Sequence, residues 1–447
     1  MLVSRIFRKL AERSRCMKRY GNLWSRICDR QNIEEAANNA LKGKELTKER
    51  RFFIDNRERL LDELQQSLID ESYKFSFLKY FKVYEPKERN IHHSPFYPDK
   101  VLHHAVMNIC KPLFIEKMTA DTYGSIKGRG ITMASTKLKR ALENCSDWYF
   151  LQIDCKKFYQ SIDHDVCKET IRRVIKCKQT LRMLDAIIDV HEEGLAIGVY
   201  PSQYLANLVL SRIDHWAKEV MRVKHYFRYM DDIVILVENK WKAHEVLEQI
   251  TAEFAKIKLT IKNNARIAPV VCGIDFIGYK FYPTYTRLRK SIKERMQSNI
   301  RRLNKKGVDD EEFKRKTASH FGWCKHANCR HLLKTALGDK LYLYEHNMEF
   351  KRLSELKESD NWFGLSKEKR VSIKELFYVD IIFFEYLFVN IKGEDKVVVK
   401  FAYPEAPEDY HSFITRSSVI MDRLSKDKEK MPFIAQIKPI KNYTAYE

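Results

Sequence analysis

Two apolar runs flank a pair of adjacent acids in the segment HYFRYMDDIVILVE, residues 225–238. The β-branched and aromatic residues of both runs predict a tight hairpin with Asp231 and Asp232 at its tip. Adjacent carboxylates beside apolar strands are costly unless a cation neutralises them. Asp154 closes a third apolar run, YFLQID at 149–154, and hard divalent cations prefer oxygen ligands. The pattern therefore predicts a metal site built from three acids, with an ordinary solvent-exposed Asp-Asp turn as the alternative.

The positive charge lies in the first three-quarters of the chain. The net charge is +22, yet residues 341–447 hold 17 Lys and Arg against 18 Asp and Glu. Basic residues are densest in 1–30 and 281–340. This asymmetry favours a polyanionic partner, with a solvated basic face as the alternative.

The sequence contains no apolar run of about 18 residues, so we expect no membrane partner. Ten cysteines without a paired pattern indicate a reduced, cytoplasmic setting. One cluster, Cys324, His326, Cys329 and His331, contains zinc-type ligands but has no second pair nearby. Whether it binds metal is left open.

The hydrophobic periodicity predicts helices separated by short strands, and a change of texture predicts a domain boundary near residue 340. Predicted helices cover 31–72, 99–118, 164–192, 203–222, 241–258 and 291–338, and predicted strands lie in 78–85, 149–154, 274–282, 383–403 and 433–446.

The Tyr229–Asp232 segment between two apolar strands resembles the catalytic signature of reverse transcriptases, and other segments follow in the order of that family's motifs. These segments are Asp154–Tyr159 with Ser161–Asp163, Ile197–Gln203 with Leu205–Asn207, Phe276–Lys280, Tyr123–Gly124 with Lys127–Gly130, and Gly322–Asn328. The resemblance covers residues 20–340. It implies that the Cys/His cluster belongs to a helix of the thumb.

The resemblance implies an α+β fold, a right-hand polymerase with fingers, palm and thumb. The domains would be a basic helical N-terminal extension at 1–75, fingers and palm at 76–285, and a basic helical thumb at 286–340. Residues 341–447 would add a near-neutral β-rich module, which binds single strands, binds a partner protein or is structural.

The resemblance also implies RNA-directed DNA synthesis by two-metal nucleotidyl transfer. Asp154, Asp231 and Asp232 would hold two Mg²⁺ ions, for which Mn²⁺ could substitute, and carry out catalysis. The family's other motif positions imply contacts to nucleotide, template and primer. The nucleotide-binding residues would be Arg89, Tyr159, Ile197, Gly198 and Lys262, and the template- or primer-binding residues Lys127, Arg129, Ser202, Gln203, Tyr229, Met230 and Gly278.

Two of these assignments have plain alternatives, and a third depends on an irregular motif. Tyr159, placed to crowd the sugar 2′ position, could be a core aromatic, and Arg89, placed to bind the triphosphate by its fork geometry, could be a surface arginine. Around Lys262, which would protonate the pyrophosphate, the pattern IKNNARI departs from the family's arrangement.

The middle motif distinguishes branches of the family. Most relatives carry Gln-Gly and Ser-Pro where this chain has Ile197-Gly198 and Ser202-Gln203. This variant is similar to the reverse transcriptases of diversity-generating retroelements from bacteria and phages, which copy a template RNA and misincorporate opposite adenine. The segment Asn22–Ile27 and the later Glu85-Pro86-Lys87 resemble their N-terminal extension.

That branch implies template RNA, cDNA as an RNA–DNA hybrid and dNTPs as partners, and leaves open a small basic accessory protein. Antiviral defence-associated reverse transcriptases are the alternative branch, since some share the Ser-Gln variant and carry extra modules. Group II intron maturases come third. A catalytically silent nucleic-acid-binding protein is the alternative outside the enzymes, against which the presence of all three acids argues.

Overall fold

The structure is a computed structural model that describes residues 19–84, 88–341 and 343–344, together with the backbone of five strands between 380 and 446. The chain divides into two compact units, residues 1–289 and 290–447. The sequence-based interpretations of residues 1–18, 85–87 and 345–379 lie outside the described residues. Among the described helices, none is long and apolar enough to cross a membrane.

Helices are the commonest described elements of the first unit, and side chains cap several of their N-termini. Asp29 accepts hydrogen bonds from the backbone of Gln31 and Asn32, and Asn239 accepts one from Lys242. The described helices of this unit are α1 (Trp24–Ile27), α2 (Arg30–Leu41), α3 (Lys48–Asp55), α4 (Arg57–Ile69), α5 (Val101–Glu116), α6 (Gly130–Glu143), α7 (Phe158–Ser161), α8 (His164–Arg172), α9 (Lys178–Asp189), α10 (Ser202–His215) and α11 (Lys240–Lys256).

A four-stranded antiparallel sheet forms the centre of this unit. Its strands are β3 (Tyr149–Ile153), β4 (His225–Tyr229), β5 (Asp232–Val237) and β6 (Arg266–Pro269), in the order β4-β5-β3-β6. Helix α11 packs against β3, β5 and β6, and buries Ile250 and Phe254. A small antiparallel sheet packed on helices is the form expected for the palm, and we call it the palm sheet.

Two smaller sheets accompany the palm in the first unit. A hairpin of β1 (Lys79–Val83) and β2 (Arg89–His93) forms one, and its register pairs Val83 with Arg89. The other contains β7 (Ile274–Phe276), β8 (Tyr279–Phe281) and β9 (Thr286–Leu288) in sequence order. The predicted strands at 78–85 and 274–282 are therefore confirmed.

The second unit contains three helices followed by strands. Helices α12 (Lys290–Lys306), α13 (Asp310–Cys324) and α14 (Arg330–Leu337) occupy the predicted basic helical region. The strands are β10 (Asp380–Ile391), β11 (Glu394–Tyr403), β12 (Ala406–Thr415), β13 (Phe433–Ile440) and β14 (Tyr443–Tyr446). They form a sheet in the order β12-β11-β10-β13-β14, so the expected β-rich character is confirmed, as is the α+β class of the chain.

Three long predicted helices are divided in the structure. The 31–72 region contains α2, α3 and α4, and Gly43 with φ +66° lies just beyond the end of α2. The 164–192 region breaks between α8 and α9, where Tyr20 exchanges backbone hydrogen bonds with Val174 and Lys176. The 291–338 region breaks at Gly307 and again before α14. Left-handed glycines and a distant backbone partner therefore end these helices.

Candidate active site

The palm sheet brings the predicted acids to one edge. Asp154 follows the last residue of β3, Asp231 lies in the two-residue turn from β4 to β5, and Asp232 begins β5. The register pairs Ile153 with Ile233, so the end of β3 lies beside the start of β5. The carboxyl groups of Asp154 and Asp231 lie within hydrogen-bonding reach of each other. Two acids distant in sequence therefore meet as the strand pattern predicted.

The third acid takes a different partner. Asp232 Oδ1 accepts a hydrogen bond of 3.1 Å from Gln152 Nε2, and the same amide donates to the Asp275 carbonyl over 2.6 Å. Among the described residues, no group of three His, Cys, Asp or Glu side chains has the spacing of a metal site. Asp232 nevertheless lies close enough to Asp154 and Asp231 for their charges to raise its pKa, and the convergence of all three carboxylates on one cation stays a prediction.

The electrostatics of the turn reflect crowded negative charge. Burial, with the hydrogen bond and charge of Asp154 adding to it, raises the pKa of Asp231. Burial also raises the pKa of Asp232 to about 7, against the hydrogen bond from Gln152 that lowers it. A divalent cation stabilises such a group of carboxylates in their ionised form, and its preferred oxygen donors are present.

Lys262 lies beside Asp154. Its ammonium forms an ion pair with the Asp154 carboxylate, and its backbone N–H donates to the Asp154 carbonyl over 2.9 Å. An antiparallel bridge between Cys155 and Ile261 holds the two segments together. The lysine that was predicted from an irregular motif is therefore within the site.

Tyr159 also lies near the acids. It belongs to the short helix α7, and burial followed by the charge of Asp231 raises the pKa of its phenol. Its backbone carbonyl accepts a 2.7 Å hydrogen bond from Leu195. A Cβ added to Gly194, whose φ is +66°, would lie 2.3 Å from that carbonyl oxygen. Tyr159 thus connects the acids to the loop that carries Ile197.

The Ile197 loop packs against the β1–β2 hairpin. The His92 N–H donates to the Ile197 carbonyl over 2.7 Å. Gly198 has φ +103°, and an added Cβ would meet the His92 carbonyl oxygen at 2.4 Å. The same hairpin carries Arg89, which is exposed at the start of β2. Two predicted nucleotide contacts, Ile197 and Gly198, are therefore fixed to the element that carries a third.

The predicted template and primer residues are distributed over several elements. Ser202 is buried and begins α10, the neighbouring Gln203 is half-buried, and Lys127 is exposed. The Arg129 guanidinium donates to the Thr119 carbonyl over 2.5 Å and to the Thr122 carbonyl over 3.0 Å. Arg129 therefore anchors its own loop, a role the sequence pattern did not predict.

The remaining predicted contacts lie in two turns. Tyr229 is half-buried at the end of β4, and Met230 has a left-handed φ of 55° in the turn that follows. Gly278, with φ +87°, forms the β7–β8 turn, and its carbonyl accepts a 2.9 Å hydrogen bond from Arg289. Gln152 connects this hairpin to the palm through the Asp275 carbonyl.

Gln152 and Arg228 are the functional candidates that the sequence reasoning missed. Gln152 is a polar residue within the apolar β3 run, and only Asp154, two residues later at the strand end, was predicted to be functional. Arg228 lies within β4 and is completely buried. The signal available in the sequence was a polar or charged residue interrupting an apolar strand next to a catalytic-type acid.

In the second unit, Cys324 and Cys329 are buried. The Cys324 sulfur lies 3.6 Å from the Met296 sulfur, in the packing between α13 and α12. Within the described part of the chain, this cluster does not bring three His, Cys, Asp or Glu side chains to the spacing of a metal site. A structural role in the helix packing is what the geometry supports.

Comparison with known proteins assigns the class of this site. Residues 87–281 match the family described as reverse transcriptase (RNA-dependent DNA polymerase). This segment, which contains the palm sheet and all three acids, is therefore a reverse transcriptase domain.

Individual relatives are distant. The chain is 23% identical to the COX1/OXI3 intron 1 protein of Saccharomyces cerevisiae over 175 residues, which are 36% of this chain and 21% of that protein. It thus spans about a fifth of that relative's length. Among solved structures, apo telomerase from Candida tropicalis has 10% identity and a TM-score of 0.40, over 62% of this chain and 61% of that one. Telomerase from Candida albicans with a TWJ fragment of telomeric RNA has 10% identity and a TM-score of 0.40, over 66% and 68%.

Proposed function

We propose that the protein is an RNA-directed DNA polymerase whose Asp154, Asp231 and Asp232 hold divalent cations. The meeting of Asp154 and Asp231 at the edge of a reverse transcriptase domain carries the proposal. An oxygen-only donor set suits Mg²⁺, with Mn²⁺ as a substitute. When bound there, the cations lower the pKa of the attacking hydroxyl and stabilise the leaving oxygen.

The surrounding side chains suggest roles around the nucleotide. The position of Lys262 at Asp154 supports proton donation to the departing pyrophosphate. The position of Tyr159 near Asp231 supports exclusion of a sugar 2′-hydroxyl, and hence synthesis of DNA. Arg89 would bind the triphosphate from the hairpin that contacts the Ile197 loop. In this proposal the basic surface binds template RNA and the RNA–DNA hybrid.

Primer extension on an RNA template tests the activity. The full-length protein should extend a DNA primer with dNTPs and Mg²⁺, and Asp231→Asn with Asp232→Asn should reduce extension by more than about 100-fold. RNA binding should stay within about twofold, since the acids hold metal and other residues hold phosphate. Asp55→Asn with Asp70→Asn, at exposed helix ends, removes the same charge as a control. A wild type that binds RNA but extends no primer with Mg²⁺ or Mn²⁺ would instead support the silent nucleic-acid-binding alternative.

The retroelement branch is the finer part of the proposal. We infer error-prone cDNA synthesis for a diversity-generating retroelement, because Ile197 stands where most relatives carry glutamine. Its loop is fixed against the hairpin by the His92 bond, and its side chain is partly exposed. An isoleucine there packs but donates no hydrogen bond, which lowers discrimination between nucleotides. The distant match to an intron protein fits the third alternative, the group II intron maturases, and does not distinguish diversification from defence.

Single-nucleotide incorporation opposite adenine and opposite guanine tests the branch. Wild type should misincorporate chiefly opposite adenine. Ile197→Gln should improve discrimination about two- to tenfold, the value of one recovered hydrogen bond of about 0.5–1.5 kcal/mol. Ile197→Leu, which changes shape without adding a polar group, is the control. Equal error rates opposite the two bases in wild type would favour antiviral defence over diversification.

A further inference from the structure

Arg228 is a fully buried charged side chain two residues before the Met230–Asp231 turn. The exposed fractions of its side chain and of the Asp214 side chain are both 0%. Burying an ion pair is costly, and replacing one by apolar residues often leaves a fold intact. The buried charge of Arg228 next to the turn is therefore expected to have a specific role.

The pair is completely hydrogen-bonded on the Asp214 side. Arg228 Nε and Nη2 donate to the two Asp214 oxygens over 2.6 Å each, in a bidentate arrangement. The Tyr226 hydroxyl donates to Oδ1 over 2.8 Å, and the Thr122 hydroxyl to Oδ2 over 2.9 Å. Asp214 thereby fixes the plane and orientation of the guanidinium.

The remaining nitrogen of Arg228 faces the turn. Nη1 donates to the Met230 carbonyl over 3.0 Å and to Asn207 Oδ1 over 2.8 Å. Asn207 Nδ2 in turn donates to the Gly124 carbonyl over 2.9 Å. A Cβ on Gly124 would lie 2.8 Å from the Met230 sulfur and 2.9 Å from its backbone nitrogen. The turn is thus held by Arg228 and closely packed on Gly124.

These contacts matter because Met230 must adopt an unfavourable backbone conformation. Met230 has φ 55°, a left-handed conformation that costs a side-chain-bearing residue free energy. Its conformation sets the direction in which the next residue, Asp231, points toward Asp154. Backbone contacts that hold Met230 therefore act on a carboxylate they do not touch.

We propose that Arg228 is a positioning residue, which holds Met230 in its left-handed conformation and so directs the Asp231 carboxylate toward Asp154. Asp214 orients Arg228, while Asn207 and Gly124 complete the support of the turn. This inference rests on the proposed cation-dependent polymerase function. A purely structural ion pair, in contrast, would affect stability without affecting the cation site.

Arg228→Lys and Gly124→Ala test the inference from the two sides of the turn. An ammonium keeps the charge but lacks the fork that reaches Asp214, Asn207 and the Met230 carbonyl together. Gly124→Ala keeps the ion pair and crowds Met230. Thr170→Val is the matched control, because it removes a buried hydrogen bond to the Val166 carbonyl within α8 and leaves Asp214, Arg228 and the turn untouched. For all four proteins we would measure the melting temperature, the Mg²⁺ affinity by titration calorimetry, and kcat and KM for dNTP.

Arg228→Lys and Gly124→Ala should each weaken Mg²⁺ binding and lower kcat by about 10- to 100-fold, with KM for dNTP changed by less than about threefold. Thr170→Val should lower the melting temperature and leave Mg²⁺ affinity and kcat within about twofold. Wild-type Mg²⁺ affinity in both turn variants would overturn the inference, as would losses in Thr170→Val equal to theirs. If Arg228→Lys does not fold, Gly124→Ala decides by the same criterion.

Failure of the proposed function has a different signature. A wild type that binds Mg²⁺ but extends no primer would refute the polymerase assignment, and the Mg²⁺ affinities would still decide the positioning role. A wild type that binds no Mg²⁺ would overturn both.

Discussion

Asp231 and Asp232 carry pKa values above the usual range of an aspartate, and that of Asp232 is about 7. A carboxyl group whose pKa is raised by folding binds protons more readily in the folded state. The metal-free protein should therefore lose stability as pH rises from about 4 to about 7. We expect Asp231→Asn with Asp232→Asn, in EDTA, to melt about 2–4 °C above wild type at pH 8, and this difference to shrink toward pH 5.5.

Thermal denaturation with and without Mg²⁺ checks this result. Mg²⁺ at pH 8 should raise the melting temperature of wild type, because a ligand of the folded state stabilises it, and should leave the double variant unchanged. The control Asp55→Asn with Asp70→Asn keeps all three acids, so it should melt like wild type in EDTA and be stabilised by Mg²⁺ as wild type is. A metal-free wild type that melts above the double variant at pH 8 would contradict the expected repulsion.

The roles of single residues differ in how well the sequence predicts them. Asp154 and Asp231 could be predicted because each ends an apolar run, and strand ends meet at sheet edges. Gln152 and Arg228 could not, since their partners Asp275 and Asp214 are distant in the chain and only the folded sheet brings them near. The same holds for the hydrogen bond that Gln152 donates to Asp232.

At the scale of elements, the Ile197 loop and the β1–β2 hairpin depend on one glycine. Gly198 has φ +103°, and the Cβ of an alanine would lie 2.4 Å from the His92 carbonyl oxygen. Gly198→Ala should therefore separate the loop from the hairpin that carries Arg89. We expect kcat/KM for dNTP to fall by about 10- to 100-fold, as misplaced binding groups typically cause. Steady-state single-nucleotide incorporation would measure it.

Gly43→Ala provides the control for backbone strain. Gly43 also has a positive φ, +66°, but no atom lies within 4 Å of its added Cβ. Both variants carry the cost of a left-handed alanine, about 1–2 kcal/mol, and only Gly198→Ala adds the collision. Equal kcat/KM for the two variants would show that the contact between loop and hairpin has no part in nucleotide binding.

Secondary structure was predictable where the pattern is local. The β4–β5 hairpin and α11 follow from alternation and helical spacing within their own segments. The break between α8 and α9 was not predictable, because it arises where Tyr20 pairs with the backbone of Val174 and Lys176. Hydrophobic periodicity indicates which face of a segment is buried. It does not indicate where a distant segment forms hydrogen bonds with the backbone.

For the whole molecule, the distribution of charge is the property that the sequence gives directly. The net charge of +22 lies outside the C-terminal region, and α12 is one of its densest segments. The four-part division into extension, fingers with palm, thumb and C-terminal module stays a prediction. The structure itself divides the chain after Arg289, at the start of α12.

Binding of RNA should therefore depend steeply on salt, with a contribution from α12. Each phosphate contact on single-stranded RNA contributes about 0.7 to the slope of log affinity against log salt. Lys293, Arg301 and Lys305 are exposed on α12, so changing all three to alanine should reduce the slope by up to about 2. Fluorescence anisotropy of a labelled single-stranded RNA, titrated at several salt concentrations, would measure it.

A charge-matched variant separates local contact from overall attraction. Changing Lys240, Lys242 and Lys256 of α11 to alanine removes the same three charges, and two of these lysines are already in ion pairs with Glu245 and Glu253. If α12 contacts the phosphates, the α12 variant should flatten the slope of log affinity against log salt. The α11 variant should shift the affinity with little change in slope, because the slope depends on the number of phosphate contacts that release counterions. Equal changes in both variants would assign the effect to net charge alone and remove α12 from the proposed RNA surface.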